Sequence, residues 1–431
     1  MRRIKYRINT GSITIENSMN FLVAVTAFIA LDPFIIWKSY QPHNYLLYPV
    51  LLIVTTMVVV LNVAATSKVY KNGAIYFIYL LLFFLFQHLH TSSGGVSIEI
   101  GFSLILCIIF GLLLCGQQRI CIILKYFTTI FAVSLIPAII FSVLYAIKIP
   151  LDFSVLYSNN AVKGELGFFY RHYFGCVFLD HDYNTGYLNQ YKICGMFDEP
   201  GTVGTIGALL LIGNDFWENK NNKWLRIILL GGIMSFSLAF YMLMMIYAMV
   251  KCFRHISYRL NRTRAVLFLI GTIAAITVLL NSSIGTMLYS VIFQKMGRAI
   301  VNIMYGSGRL TEEYKTSFIE LLHSSYAFFG LGYGAKQHGT VFEGSLITDL
   351  VVEYGVFGGL LFLMIPLLAL LLLCKRSQRN WLFLFALFMS MYQRPQIFNL
   401  TYMIIILGSI RMQRGNKIVN KMDGTASLQK L

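Results

Sequence analysis

The sequence predicts an all-α polytopic membrane protein, and its composition gives the first reason. Of the 431 residues, 57% are hydrophobic and only 12% are charged, and the mean hydropathy is +0.68. Soluble proteins carry about 25% charged residues, so this chain has too little polar surface to remain soluble in water. The composition therefore excludes a cytosolic enzyme, a disordered protein and a secreted disulfide scaffold.

Apolar runs that approach or exceed the length of a bilayer crossing give the second reason. A helical crossing needs roughly 17–25 predominantly apolar residues. Eight runs qualify: 19–37, 45–66, 73–89, 99–115, 126–147, 200–214, 265–281 and 346–374. Two further apolar stretches, 224–250 and 380–410, are longer or interrupted, and charge decides how they cross.

The distribution of Lys and Arg gives the third reason and predicts the orientation, because cytoplasmic loops carry the excess of basic residues. Arg2, Arg3, Lys5 and Arg7 place the N-terminus in the cytoplasm. The basic clusters on both sides of 224–250 fall on the cytoplasmic side only if this stretch crosses twice, with a turn near Met234–Ser237. The same reasoning makes 380–392 and 397–410 a second hairpin with Arg394 at its outer tip.

The result is twelve spans with both termini in the cytoplasm. The predicted organisation is N-terminal spans within 1–147, a first long outer loop at 148–199, central spans within 200–281, a second long outer loop at 282–345, C-terminal spans within 346–410 and a cytoplasmic tail at 411–431. The orientation also explains the formal charge of +17, so we expect a lipid bilayer around the chain and no nucleic-acid partner.

Both long outer loops are expected to be ordered and functional, because loops of this length without structure are uncommon in compact proteins. They are rich in Tyr and Phe. Residues 311–329 place Tyr314, Phe318 and Leu321 at helical spacing, which predicts an amphipathic helix at the outer interface. We expect amphipathic helices in both long outer loops, which together form an extracytoplasmic layer above the membrane helices.

The first outer loop ends in Asp198, Glu199 and Pro200, where the next span begins. Carboxylates before a proline at the first turn fit a helix N-terminus, so one interpretation is a capped helix. The other is a carboxylate held at the membrane boundary to accept a proton or to bind a sugar hydroxyl.

The second outer loop combines basic residues, a glycine-rich segment and carboxylates. The glycines of Gly330-x-Gly332-x-Gly334 predict a loop that lets the backbone approach a ligand closely. Following a helix, they do not form a dinucleotide-binding motif. The ionisable candidates around this segment are Arg298, Arg309, Lys336, His338 and Glu343.

Asp349 and Glu353 lie four residues apart on one face of the next span. Ionisable groups within a span are costly and usually functional. Near the outer end of the span, however, they can also simply reach water, and both interpretations stay open.

We predict neither a metal cofactor nor a disulfide framework. Asp180-His181-Asp182 matches a metal-binding D-x-D pattern, but three residues match often by chance, and the residues after it favour a turn. The seven cysteines form no C-x-x-C pair. Cys176 and Cys194 share the first outer loop and could pair only as the less favoured alternative.

In combination, these motifs resemble the O-antigen polymerase/ligase superfamily of membrane enzymes. The matching residues are Gly195-x-Phe197-x-Glu199-Pro200, then Arg309 with the amphipathic helix and Gly330-Leu331-Gly332-Tyr333-Gly334, then Glu343, and finally Glu353-x-Gly355-x-x-Gly358. They cover roughly residues 190–360. Ligases commonly have a His after the glycine-rich segment, where this chain has His338 and then Glu343. Polymerases more often have Glu at the latter position, so the pattern favours a polymerase.

The resemblance implies an enzyme of the bacterial cytoplasmic membrane that joins polyprenyl-diphosphate-linked oligosaccharides on the outer face without a cofactor. A sugar hydroxyl attacks the anomeric carbon of the growing glycan, and the lipid diphosphate leaves. Arginine suits the diphosphate because its planar fork binds two phosphate oxygens. The implied catalytic residues are Glu343, Arg309 and Glu199, and the implied substrate-binding residues are Arg298, Arg171, Arg394, Lys336, His338 and Asp198.

A transporter or flippase is the main rival of a different class, since twelve spans with both ends inside is a common carrier layout. Transporters tend to have internal repeats and binding sites at the midplane. This chain has no visible repeat, and its ionisable residues gather at the outer boundary, including Asp32 beside Pro33 at the end of the first span. A chain-length regulator and a flippase are the protein partners expected for a polymerase.

Overall fold

The computed structural model describes residues 15–39, 44–64, 71–90, 119–157, 168–181, 192–259, 312–332, 335, 347–373, 378–391 and 399–410. These residues are mostly helical. In chain order, the first half contains α1 (Ile15–Ile29), α2 (Phe34–Ser39), α3 (Asn44–Ala64), α4 (Lys71–Leu89), α5 (Arg119–Ala146), β1 (Ser154–Tyr157), β2 (Phe168–Tyr173), β3 (Cys176–His181) and β4 (Ile193–Gly195). The second half contains α6 (Pro200–Gly213), α7 (Lys223–Met234), α8 (Leu238–Arg259), α9 (Glu312–His323), α10 (Tyr326–Phe329), α11 (Ile347–Leu373), α12 (Gln378–Met391) and α13 (Leu400–Ile410).

Three of the described helices are long and apolar enough to cross a membrane: Asn72–Leu89, Arg119–Ala146 and Thr348–Leu373. They agree with a helical membrane protein. The predicted spans at 99–115 and 265–281 lie outside the described residues.

Helices α6, α7 and α8 form a compact trio. A Cβ on Gly207 of α6 would lie 3.4 Å from the Ile228 side chain of α7, and Gly204 lies directly against Ser237. Tyr247 on α8 binds Asp215, just after α6, with its hydroxyl 2.6 Å from the carboxylate. Helix α7 therefore runs antiparallel to α6, and α8 runs parallel to it. The chain reverses at Ser235–Ser237, where the sequence predicts a turn.

Small residues allow this close packing. Gly204, Gly207 and Gly213 lie along α6 where a side chain would meet Ser237, Ile228 and Ser409, respectively. Close approach of helix backbones through small residues is typical of helix pairs within membranes. The apolar glycine-rich sequence of α6 thus explains why it is buried almost throughout.

A set of contacts defines two ends of the bundle. At one end, Phe28 of α1 packs on Phe197 before α6, with ring centroids 5.8 Å apart, and the Asn399 side chain donates a hydrogen bond to the Ala30 carbonyl. At the other end, Arg379 at the start of α12 reaches Asp215. Asp32 follows α1 at the first end, so we call this the Asp32 end, and we call the other the Asp215 end.

Helices α4 and α11 are antiparallel and share the same two ends. Asn72 at the start of α4 donates to the Leu372 carbonyl at the end of α11, while Phe86 and Phe357 pack together at their opposite ends. Leu373 is separated from α12 by only four residues, which places it at the Asp215 end. The start of α11 therefore lies at the Asp32 end.

The first long loop contains a sheet, which the all-α prediction did not include. The four strands pair antiparallel in the order β1-β2-β3-β4. Arg171 is opposite Val155 on one side and Phe178 on the other. The prediction of amphipathic helices in both loops is thus wrong for the described part of the first loop. Aromatic residues dominate β2, and β3 contributes Val177 and Phe178; aromatic and β-branched residues favour strands.

Candidate functional site

The aromatic side chain of Phe197 positions the segment before α6. It is buried between the rings of Phe28 and Phe131, whose centroids lie 5.8 and 5.9 Å from that of Phe197. The Ile35 amide donates to the Met196 carbonyl on the same segment. Asp198 and Glu199 are therefore fixed beside the turn that follows α1.

That turn supplies a third carboxylate, Asp32. It has a left-handed backbone, with φ 56°, a conformation that Asp tolerates better than most residues. Although its side chain reaches solvent, neighbouring protein atoms crowd the carboxyl group. This desolvation and, second, the negative charge of Asp198 raise the pKa of Asp32. The two carboxylates are therefore close enough to interact electrostatically, and a carboxylate with a raised pKa is a candidate for general acid–base catalysis.

Glu199 is the residue that begins α6. Its backbone is extended and Pro200 follows in the first turn, as the sequence predicts, but its side chain makes no capping hydrogen bond. The Thr202 amide binds the Glu199 carbonyl instead. The capped-helix interpretation therefore accounts for the proline and the backbone, and leaves the half-buried Glu199 carboxylate with no capping role.

The sheet separates this acidic region from Arg171. Tyr170 projects from one face, where its hydroxyl donates to the Asp198 carbonyl at 3.0 Å. Arg171 projects from the other face and forms an ion pair with the buried Asp180 at 2.5 Å. Because adjacent residues of a strand point to opposite faces, the structure does not bring the Arg171 guanidinium together with Asp198 and Glu199.

Aromatic rings enclose the Arg171 side chain. Its guanidinium carbon lies 4.8 Å from the Phe153 ring centroid and 5.9 Å from that of Tyr145. The cavity beside it has a volume of about 10 Å³, which is room for about one water molecule. Arg171 is thus held by protein groups, and this cavity is too small for a sugar or a phosphate.

The predicted metal and disulfide alternatives can be examined in the same sheet. Asp180 is engaged by Arg171, and Asp182 lies outside the described residues. In the described ranges, no three His, Cys, Asp or Glu side chains are grouped as metal ligands. Cys176 and Cys194 are both free thiols. They pack in separate clusters on opposite faces of the sheet, so the alternative in which they pair is wrong.

The glycine-rich segment contacts α11 directly. The amides of Leu331 and Gly332 donate to the carbonyls of Val352 and Glu353 at 2.8 and 3.0 Å. Helix α11 breaks immediately afterwards, at Gly355, where φ is 64°. Gly330 and Gly355 thus allow the two backbone segments to come into direct contact. This contact explains why glycine occupies both positions.

The amphipathic helix predicted within 311–329 is present as α9 and α10. Tyr314 is buried, and its hydroxyl donates to Asp349 at 2.8 Å and lies 2.8 Å from the Thr348 hydroxyl. Burial, as the largest cause, raises the pKa of Tyr314. Asp349 is also buried, so it does not simply reach water, and it helps to join α9 to the start of α11.

The structure thus describes three of the predicted site residues: Asp198, Glu199 and Arg171. It places Asp198 and Glu199 side by side and Arg171 on the other face of the sheet. The others lie outside the described residues: Arg298, Arg309, Lys336, His338, Glu343 and Arg394.

Sequence analysis missed a buried charge cluster at the Asp215 end. The Asp215 carboxylate binds the Lys251 ammonium at 2.8 Å, the Arg379 guanidinium at 3.1 Å and the Tyr247 hydroxyl at 2.6 Å. The available signal was a lone Asp at the end of an apolar run, with basic residues at the ends of two neighbouring runs.

Comparison of this chain with protein-family models, with curated proteins and with solved structures gives no match.

Proposed function

We propose that this protein is a membrane glycosyltransferase that polymerises polyprenyl-diphosphate-linked oligosaccharide repeat units at the outer face of the bacterial cytoplasmic membrane. One observation carries the proposal: Asp32, Asp198 and Glu199 gather at the Asp32 end of the bundle. The start of α11, with Glu353 and the glycine-rich segment against it, lies at the same end. The described parts of the two long loops therefore lie at the same end of the helices, which supports the proposal.

The proposed topology has twelve spans, with the Asp32 end directed toward the outer side of the membrane. Lys251 and Arg379 lie at the other end. Together with the basic clusters of the sequence, they support this orientation, because basic residues favour the cytoplasmic side. We propose that the protein contacts lipid and a lipid-linked substrate, and that its protein partners are a flippase and a chain-length regulator.

The carboxylates supply the base. In the proposed reaction, the acceptor hydroxyl attacks the anomeric carbon while the bond from that carbon to the diphosphate oxygen breaks. The proton of the acceptor hydroxyl passes to a carboxylate. The candidates for this carboxylate are Glu199, Glu343 and the Asp32–Asp198 pair. General-base catalysis of this kind typically contributes about 10²–10⁴-fold.

Cations stabilise the leaving diphosphate. Because Arg171 already forms an ion pair with Asp180, we assign the stabilisation of the diphosphate to Arg309. Further contacts to the diphosphate are assigned to Arg298, Arg394, Lys336 and His338. Fixed positive charge near a developing anion contributes several kcal/mol to lowering a barrier. Arg171 is better suited to hold the sheet against α5 than to bind phosphate.

A transporter of lipid-linked sugars is the second candidate, and the break in α11 favours it, because discontinuous helices form transporter binding sites. The break, however, follows only two helical turns after the start of α11. It is therefore near the end of the helix and not at its middle, which supports the polymerase.

The test replaces candidate residues in a host that lacks its own copy. Glu199→Gln, Arg309→Ala and Glu343→Ala should each shorten the surface polysaccharide ladder to single repeat units, at unchanged protein level. Asp152→Asn is the matched control, because this exposed carboxylate has no proposed role. Long ladders from all three variants would refute the assignments. Loss of a ligase would leave no repeat unit attached, and loss of a transporter would trap lipid-linked units on the cytoplasmic face.

A further inference from the structure

The β2–β3 hairpin lies alongside α5 and points back along it. Three contacts mark its path from the outer end of α5: Arg171 against the Tyr145 ring at 5.9 Å, Tyr173 stacked on Phe141 at 5.1 Å, and a Cβ on Gly175 that would lie 3.8 Å from Pro137. Each step of two residues along the hairpin toward its tip therefore corresponds to about one turn of helix α5, in the direction of the start of that helix.

The sequence of α5 sets the depth of the turn. No charged residue occurs between Lys125 and Lys148, a stretch that measures about 33 Å at 1.5 Å per residue. This is close to the hydrocarbon thickness of a bilayer, about 30 Å. Pro137 lies 11 residues before Lys148, or about 16 Å along the helix. The hairpin turn thus reaches roughly halfway into the apolar layer that α5 crosses.

Phe174 occupies this turn and is 85% exposed. On α5, Val133, Ile140 and Val143 are also exposed at comparable depth, which is expected of a helix that faces lipid. A large aromatic side chain left this exposed is unfavourable in water and favourable among acyl chains.

The backbone of the hairpin is compatible with an apolar environment. Non-helical backbone at membrane depth must have its polar groups satisfied by protein. Strands β2 and β3 pair with each other up to Tyr173 and Cys176. Their outer edges are covered by β1 as far as His172 and by β4 at Val177 and Phe178.

We propose that this hairpin is a re-entrant element that inserts Phe174 between the phospholipid acyl chains of the leaflet at the Lys148 end of α5. The sheet is then anchored in the bilayer, and the Arg171–Asp180 pair lies close to the polar boundary, beside Tyr145. This surface is separate from the carboxylates of the proposed reaction and does not depend on them.

Photo-crosslinking tests the contact directly. The photoreactive analogue p-benzoylphenylalanine replaces Phe174 or, as the control, Tyr157 of the full-length protein in phosphatidylcholine vesicles. Tyr157 is 68% exposed but pairs with Phe169, two residues further from the turn than Arg171. Illumination should add the mass of one phosphatidylcholine at position 174 and little or none at position 157. No lipid adduct at 174, equal adducts at both positions, or a crosslink from 174 to protein would overturn the proposal.

A second measurement does not depend on the bulky analogue. Phe174→Cys and Tyr157→Cys are treated in the same vesicles with a membrane-impermeant maleimide, and the wild type, with its seven cysteines, gives the background. Tyr157→Cys should gain a labelled thiol, whereas Phe174→Cys should gain one only after denaturation. Equal labelling of the two variants in intact vesicles would show that the turn is in water and would overturn the proposal.

Discussion

The Lys251 ammonium on α8 lies 2.8 Å from the Asp215 carboxylate that follows α6, and both side chains are buried. Arg379 at the start of α12 shares the same carboxylate at 3.1 Å. One carboxylate thus joins three helices at the end of the bundle opposite the candidate site. Buried charges of this kind persist only when they are paired.

Asp215→Ala should therefore destabilise the protein strongly, because it leaves Lys251 and Arg379 without their shared counter-charge. Removing one partner of a buried pair costs about 3–5 kcal/mol. The expected result is a lower Tm of the purified protein in detergent. Glu218→Ala is the control: its carboxylate is 3.8 Å from Lys251 but largely exposed, so its loss should change the Tm little. Equal Tm values for the two variants would contradict the network.

A second prediction concerns the break in α11. Gly355→Ala should lower the folded yield and the Tm, because Gly355 has φ 64° and a Cβ there would collide with the Phe328 backbone. Gly359→Ala is the matched control on the same helix, since a Cβ at Gly359 meets no atom within 4 Å. Alanine also favours a helix over glycine by about 0.8–1.0 kcal/mol, so Gly359→Ala should be neutral or stabilising. The same Tm for both variants would mean that the break is not required.

These glycines illustrate what the sequence could and could not predict. Hydropathy predicts the long helices, the distribution of basic residues predicts the reversal near Ser235, and helical spacing predicts the amphipathic helix around Tyr314. The glycine pattern indicates close backbone approach, but not that Gly330 meets Gly355. That contact joins residues from different segments, which no local pattern encodes.

The sheet was missed for a related reason. The alternation of Tyr170, His172 and their neighbours is short, and in so apolar a chain it is hidden by aromatic residues on both faces. The pairing of Arg171 with Asp180 follows only from the strand register. Without that register, Arg171 resembles a free outer arginine available for phosphate.

A third prediction tests whether Arg171 is structural. Arg171→Met and Asp180→Leu should each lower the Tm, because each leaves one charge in a mostly buried site. The double variant should lose less than the sum of the two, since replacing both partners with apolar groups is far less costly than removing one.

The activity of the double variant separates the two roles of Arg171. Per folded molecule, it should still polymerise lipid-linked repeat units in a reconstituted assay. A double variant that is stable but inactive would instead support the phosphate-binding role that the family resemblance implies.

The last prediction concerns pH and the Asp32–Asp198 pair. If Asp32 is the base, it must be deprotonated, so the polymerisation rate should fall as the pH drops through its raised pKa. Asp198→Asn removes a negative neighbour that raises this pKa. The acidic limb of the rate profile should therefore move to lower pH in this variant, while Asp32→Asn should abolish the limb together with most of the activity. Asp152→Asn serves as the control, because this exposed carboxylate should leave the profile in place. An acidic limb that stays fixed in Asp198→Asn would assign the proton transfer to another group, with Glu199 as the next residue to test.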